Sequence, residues 1–138
     1  MKKENILLLI TISVVIIIVV LKLNNPHKKL TTIEVNNNLV KLGDVMHKKS
    51  ISTSFQLTNT GENALIIEEV LADCHCTVPK WDLSSIKSGE TTSLEVIYEA
   101  INLGYFQRSI KVSANTLNSP LILTIQGKVV QDTINVSS

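Results

Sequence analysis

The stretch "CHCTVPKW", residues 74–81, holds the side chains of this chain that are best able to do chemistry. It contains both cysteines, one of the three histidines and the only tryptophan. Two thiols separated by one residue can form a disulfide, exchange electrons with another thiol pair, or bind a soft metal ion. The residue types and their spacing leave all three possibilities open, beside a purely structural role.

A disulfide between Cys74 and Cys76 depends on the local backbone. In an extended strand these residues would point to the same face with their Cα atoms about 6.6 Å apart. Disulfides join Cα atoms that are about 4.4 to 6.8 Å apart. The bond therefore requires a turn or some strain, and a strained disulfide is easily reduced. Cys74 and Cys76 are thus a possible disulfide or redox pair.

Metal binding by the same residues has weaker support. Two thiolates suit Cu(I) or Zn²⁺, and His75 could add a nitrogen ligand. In an extended segment, however, His75 points to the face opposite the cysteines. A structural zinc site usually has four protein ligands, and the other two histidines lie in distant segments. Cys74, His75 and Cys76 remain weak metal candidates, and we predict no cofactor.

The interpretation that we favour is structural, with the cysteines packed where a strand leaves the sheet. Buried cysteine behaves as a small apolar residue, and tryptophan usually lies in the core. Thr77, Pro79 and Trp81 would then pack around the motif, with Pro79 fixing the turn. The chain has no Ser-His-Asp arrangement with recognisable flanks and no glycine-rich phosphate loop. We therefore predict that the protein is not an enzyme.

The elements that must position this motif are β-strands. Apolar and polar residues alternate with period two, which is typical of strands with one buried face. Short turn signals, such as Asn59-Thr60-Gly61, separate these segments. No stretch beyond the N-terminal run has helical spacing. The alternating segments are SISTSFQLTN, TSLEVIYE, FQRSIKVSA and LILTIQGKV, with weaker ones at TIEVN and ALIIEEVLA. About seven short strands over residues 31–132 predict an all-β, immunoglobulin-like antiparallel β-sandwich.

The order of these motifs resembles a bacterial family, domain of unknown function 1573. The resemblance rests on FQLTNTG at Phe55–Gly61, CHCTVPKW, SGE at 88–90, LGYFQRSIKVSAN and LTIQGKV. His75 stands where the family has glycine, and Ser88 stands where it usually has proline. The resemblance covers roughly residues 35–131 and implies an exported, immunoglobulin-like domain. It implies no activity.

The N-terminal segment is the most apolar part of the chain. Residues Asn5–Leu21 carry no charge and follow Lys2 and Lys3. A helix of this length reaches about 25 Å, near the lower limit for a bilayer core. No small residues offer a signal-peptidase site, because the first glycine is Gly43. We predict a tail at 1–4, a transmembrane signal anchor at 5–23, a linker at 24–30 and a polar tail at 133–138.

The charge distribution limits the partners. Net charge is +1, and residues 30–132 hold eight basic and eleven acidic side chains. This balance argues against nucleic acid as a partner, because phosphate binding needs a basic face. We predict a single-pass membrane protein whose β-domain lies outside the cytoplasm. Its predicted function is binding or scaffolding of an envelope protein through loops or an edge strand. The alternative is thiol redox or copper handling through Cys74 and Cys76.

Overall fold

The computed structural model describes the backbone of residues 3–23 and 29–131, and the side chains of residues 10–20 and 29–131. One α-helix, α1, precedes eight strands. The bounds are α1 Lys3–Leu23, β1 Ile33–Val35, β2 Leu39–Met46, β3 Ser50–Asn59, β4 Ile67–Ala72, β5 Thr77–Lys80, β6 Thr91–Glu99, β7 Gly104–Ala114 and β8 Leu121–Val130.

The strands form two four-stranded sheets. Sheet one has the order β1-β3-β6-β5, and sheet two has the order β2-β8-β7-β4. The predicted all-β class and two-sheet architecture are confirmed. The alternation in the sequence located six of the eight strands. It missed β2 and β5, which lie at sheet edges and contain irregular positions such as Gly43 and Pro79.

The predicted antiparallel pairing needs one correction, because β2 and β8 pair in parallel. The other strand pairs are antiparallel. Parallel neighbours need a long crossing connection, and here almost the whole domain lies between the two strands. Local sequence patterns report hairpins between neighbouring strands, so they carry no signal for this pairing.

The core lies between the sheets and comes from the alternating positions. In β3 the side chains of Phe55 and Leu57 are fully buried, and in β6 those of Leu94 and Val96 are too. Sheet two contributes Ile110, Val112, Leu123 and Ile125 from the opposite side. Removal of these apolar side chains from water is the main favourable term in folding, at roughly 25 cal/mol per Å².

The helix α1 is 21 residues long. Within the part of the chain that the structure describes, no helix is both long enough and apolar enough to cross a membrane. The transmembrane anchor predicted for residues 5–23 is therefore not supported by the structure.

One end of the sandwich, here called the asparagine end, is tied together by buried amides. Asn59 is fully buried at the end of β3. Its Oδ1 accepts hydrogen bonds from the Thr31 hydroxyl and the Gly61 backbone N–H, and its Nδ2 donates to the carbonyls of Asn63 and Ile86. The predicted turn after β3 is thus built around one side chain whose amide oxygen and nitrogen are both fully hydrogen-bonded.

Asn115 performs the same role after β7. It is 3% exposed. Its Oδ1 accepts from the Ile66 N–H at 2.7 Å, and its Nδ2 donates to the carbonyls of Lys29 and Ala64. The Thr31 N–H in turn donates to the Asn115 carbonyl, so the two asparagines belong to one network.

Candidate functional site

The two cysteines lie at the opposite end of the sandwich, here called the cysteine end. Residues 73–76 carry the chain from β4 of sheet two to β5 of sheet one. Cys74 and Cys76 form a disulfide across this turn, with their Cα atoms 5.3 Å apart. The turn shortens the separation that an extended strand would impose. Of the states considered from the sequence, the structure has the disulfide.

Backbone hydrogen bonds hold this turn on both sheets. The Asp73 N–H donates to the Ser109 carbonyl, and the Asp73 carboxylate accepts from the Ser109 N–H. On the other side, the Glu99 N–H donates to the Cys76 carbonyl at 2.8 Å. The turn is therefore clamped between β7 and the end of β6, which fixes the positions of both sulfur atoms.

Two side chains donate hydrogen bonds to the sulfurs. The Thr77 hydroxyl is 3.4 Å from Sγ of Cys74 and 3.9 Å from Sγ of Cys76. Disulfide sulfurs carry no hydrogen, so the hydroxyl is the donor. Arg108 donates from Nε to Sγ of Cys76 at 3.4 Å. The cationic donor therefore faces Cys76, and the neutral donor lies closer to Cys74 than to Cys76.

Arg108 occupies an inward position of β7. Along this strand Phe106, Ile110 and Val112 are buried, and Arg108 shares their parity. It is half-buried where β4 has ended, so its side chain can reach the disulfide between the sheets. Sequence analysis missed this residue. The available signal was that the only arginine in the chain stands at a core-facing position of an alternating strand.

The aromatic pair beside Arg108 closes this end of the core. The rings of Tyr98 and Phe106 stack with centroids 4.0 Å apart and planes 17° from parallel. Burial raises the pKa of Tyr98, and the charge and hydrogen bond of Arg108 oppose that effect. The phenol therefore stays neutral near pH 7. Tyr98 also pairs with Thr77 across β6 and β5. The side chains of Tyr98, Thr77 and Arg108 therefore form one cluster.

The other predicted motif residues are placed differently from the interpretation above. His75 is exposed in the turn, between the two half-buried cysteines. Pro79 lies within β5 and does not fix a turn. Proline is tolerated there because β5 is an edge strand. The motif is therefore a turn followed by a strand, where the sequence suggested one compact turn.

Trp81 follows the C-terminal end of β5, whereas Cys76 precedes its N-terminal end. At about 3.3 Å per residue, their Cα atoms are separated by roughly 16 Å. Trp81 packs against the core, and its Nε1 is buried without a hydrogen-bond partner among the described residues. Trp81, Pro79 and Leu83 instead border a small surface depression.

Metal binding gains no support from the geometry. Within the described residues, no group of three or more His, Cys, Asp or Glu side chains is placed to hold a metal ion. Cys74 and Cys76 are joined to each other, and His75 points into solvent.

A second candidate site, here called the Tyr105 groove, lies on the outer face of sheet two. It is a depression of about 570 Å³ that crosses three strands. Gly43 and Gly127, which are paired across β2 and β8, contribute backbone to its floor. A Cβ on Gly127 would come within 2.7 Å of the Gly43 carbonyl oxygen. The lining residues are Lys41, Gly43, Asp44, Tyr105, Phe106, Gln107, Gln126, Gly127 and Lys128.

Residues 33–129 match the family of proteins of unknown function DUF1573. The match spans more than half of the chain and contains the cysteine turn, Arg108 and the Tyr105 groove. The chain belongs to the DUF1573 family. A search of curated proteins found no match.

Solved structures share the fold of this DUF1573 domain at low sequence identity. A protein of unknown function from Porphyromonas gingivalis W83 aligns with a TM-score of 0.65 and 15% identity, covering 77% of this chain and 51% of its own. The PapD-like domain 7 of human CEP192 aligns at 0.63 and 11%, covering 78% and 92%. The VesB protease of Vibrio cholerae aligns at 0.59 and 19%, covering 75% and 33%. The chain thus spans about half of the first of these proteins and a third of VesB. These likenesses concern the fold alone.

Proposed function

We propose that this DUF1573 domain is a binding module that docks an extended, acidic segment of a protein partner in the Tyr105 groove. The observation that carries the proposal is the exposure of Tyr105, whose side chain is 86% accessible beside a depression of about 570 Å³. Tyrosine is enriched at protein interfaces because its ring buries a large area and its hydroxyl stays polar.

The charges around the groove support an acidic partner. Lys41 and Lys128 line it, against the single carboxylate of Asp44. Nζ of Lys128 lies 5.2 Å from the centroid of the Tyr105 ring, which is within the range of a cation–π contact. The ring and the ammonium group are therefore held together, and both face a ligand that enters the groove.

The groove also adjoins a sheet edge. It includes Lys41, Gly43 and Asp44 of β2, which is an edge strand of sheet two. The β2 strand has a bulge between Lys41 and Gly43, and Gly43 has a positive φ of 70°. Such irregularities protect an edge from pairing with other strands. We therefore expect the side chains of the groove to bind the segment, more than backbone hydrogen bonds that would add it to the edge of β2.

Tyr105→Ala tests this proposal in the full-length protein. We expect partner recovered from cross-linked cells to fall at least about tenfold, as for an interfacial tyrosine that dominates binding. Leu117→Ala is the matched control, because Leu117 is 81% exposed and follows the opposite end of β7. Equal recovery with Tyr105→Ala and Leu117→Ala would contradict the proposal. A charge reversal, Lys128→Glu, should lower recovery in the same direction.

The proposed location is outside the cytoplasm, with residues 5–23 as the membrane anchor. A disulfide in the domain fits an oxidising compartment, and the charge-free run Asn5–Leu21 fits an anchor. We expect the full chain to resist carbonate extraction from membranes and to be cleaved by protease added outside intact cells. Recovery of the protein in the soluble cytoplasmic fraction would contradict this location.

A further inference from the structure

In the hydrogen bond between Arg108 and Cys76, a strong donor faces a weak acceptor. The guanidinium is charged at every pH that proteins tolerate. In the disulfide, the Cys76 sulfur is a neutral atom that accepts hydrogen bonds weakly. After reduction the same sulfur can become a thiolate, which is a strong, charged acceptor at the same place. The 3.4 Å contact therefore stabilises the reduced protein more than the oxidised protein.

Besides the Cys76 sulfur, Arg108 bonds neutral oxygen atoms. One hydrogen bond runs from Nη1 to the carbonyl of Gln107 at 2.9 Å, and another goes to the Tyr98 phenol. An ion pair elsewhere on the surface joins Lys87 and Glu90. A half-buried cation is costly without an anionic partner. A thiolate at Cys76 would supply such a partner for Arg108 in the reduced protein.

We propose that the Cys74–Cys76 disulfide is a thiol–disulfide exchange site for a dithiol substrate, with Arg108 as the residue that stabilises Cys76 as the leaving thiolate. The two sulfurs are not equivalent. Cys76 packs against the hydrophobic core, whereas Cys74 does not belong to that packing. The incoming thiolate therefore attacks Cys74, and Cys76 departs next to Arg108.

The reaction balances in two steps. A thiolate of the substrate attacks Sγ of Cys74, which forms a mixed disulfide and breaks the Cys74–Cys76 bond, and the electron pair stays on Cys76. The second substrate thiolate attacks the substrate sulfur of the mixed disulfide, which forms the substrate disulfide and releases Cys74. Cys74 takes up one proton, Cys76 remains a thiolate, and one proton goes to solvent. Two electrons pass from the dithiol to the protein.

Among the neighbouring titratable groups, Arg108 is the one that is placed to stabilise the Cys76 thiolate. The Asp73 carboxylate accepts from the Ser109 N–H, and Glu99 contacts the turn through its backbone N–H. Burial keeps the pKa of Tyr98 raised, so the phenol adds no negative charge near pH 7. His75 is exposed. Among these groups Arg108 is the permanent cation, and it lies against the sulfur.

The test measures the redox equilibrium of the full-length protein in glutathione buffers, with alkylation and mass spectrometry to count free thiols. We expect folded wild type to pass from disulfide to dithiol within the usual range of glutathione ratios, because exchange sites equilibrate with glutathione and structural disulfides resist it. If the pair stays oxidised across that range while the protein is folded, the proposal is wrong. This measurement needs no variant.

Three variants identify the contribution of Arg108. An opposite charge within about 4 to 6 Å favours a charged group by at least about tenfold. Arg108→Gln should therefore shift the equilibrium about tenfold towards the disulfide, which is roughly 30 mV. Arg108→Lys, which keeps the charge, should stay within about threefold of wild type. Lys111→Gln removes a charge from the exposed face of β7 and should shift it less than twofold. Equal equilibria for Arg108→Gln and Lys111→Gln would overturn the assignment.

Discussion

The two ends of the sandwich treat polar groups in different ways. At the asparagine end, both amide groups of Asn59 and Asn115 have protein partners for donors and acceptor alike. At the cysteine end, Arg108 and Thr77 direct hydrogen bonds at disulfide sulfurs, which accept them weakly. A saturated buried network stabilises one structure. Donors that face a weak acceptor are instead suited to a second chemical state of that acceptor.

This comparison predicts that stability depends on the asparagine end and reactivity on the cysteine end. The buried amides cannot be removed without orphaning several backbone groups, which is costly in free energy. The disulfide closes a loop of only three residues and joins no two strands, so its removal should change the free energy of unfolding much less.

The largest expected effect follows from Asn59→Ala. The change leaves the Thr31 hydroxyl, the Gly61 N–H and the carbonyls of Asn63 and Ile86 without the side chain that bonds them. We expect the free energy of unfolding to fall by about 3 to 5 kcal/mol. Urea denaturation followed by circular dichroism measures it.

The control for this variant is Asn102→Ala, since Asn102 is exposed in the β6–β7 connection. It should change the free energy of unfolding by less than about 0.5 kcal/mol. A loss of that small size for Asn59→Ala as well would remove the contrast between the two ends.

The asparagine end also indicates how far the sequence alone can lead. The turn after β3 was predicted from Asn59-Thr60-Gly61 as a local signal, and β3 was found from its alternation. Two of the four partners of Asn59, Thr31 and Ile86, come from positions 28 residues before it and 27 after it. No local pattern contains such contacts, so the turn was predictable and its buried network was not.

The cysteine end shows the same limit for the candidate site. The sequence singled out Cys74 and Cys76 and required a turn for their bond, and the structure has that turn. Arg108 lies 32 positions from Cys76 and meets it only because β7 and the β4–β5 crossing share one end of the sandwich. Trp81 was expected beside the cysteines because it is close in sequence, but β5 separates them.

An intermediate effect is expected for replacement of both Cys74 and Cys76 by alanine. Loss of a three-residue loop closure costs about 1.6 kcal/mol by the chain-entropy relation, and loss of sulfur packing adds to it. We expect the free energy of unfolding to fall by about 1 to 3 kcal/mol. Urea denaturation of the oxidised proteins measures the difference.

Reduced wild type sharpens this second prediction. It keeps both sulfurs and gains a thiolate beside Arg108, so we expect it to lose less stability than the double-alanine protein. A reduced wild type that is as unstable as the double-alanine variant would mean that Arg108 contributes nothing to the reduced state. A loss larger than that of Asn59→Ala would reverse the contrast between the ends.

The smallest effect is expected for His75→Gly, which restores the residue that is usual at this position of the family. His75 is exposed. Its φ is not positive, since Lys48 is the non-glycine residue with a positive φ in the described chain. The backbone at position 75 therefore does not demand glycine. Glycine adds freedom to the unfolded chain, so the free energy of unfolding should fall by less than about 1 kcal/mol. His75→Ala separates this entropy from the loss of the imidazole and should lie nearer to wild type.

The same variant distinguishes which side chain controls the disulfide. Thr77 and Arg108 donate hydrogen bonds to the sulfurs, whereas His75 projects into solvent from the turn. The glutathione equilibrium of His75→Gly should therefore stay within about twofold of wild type, against the tenfold shift expected for Arg108→Gln. If His75→Gly moved the equilibrium tenfold while stability held, the imidazole would be the group that sets reactivity. The guanidinium would then only pack against the turn, and the cysteine end would resemble the asparagine end after all.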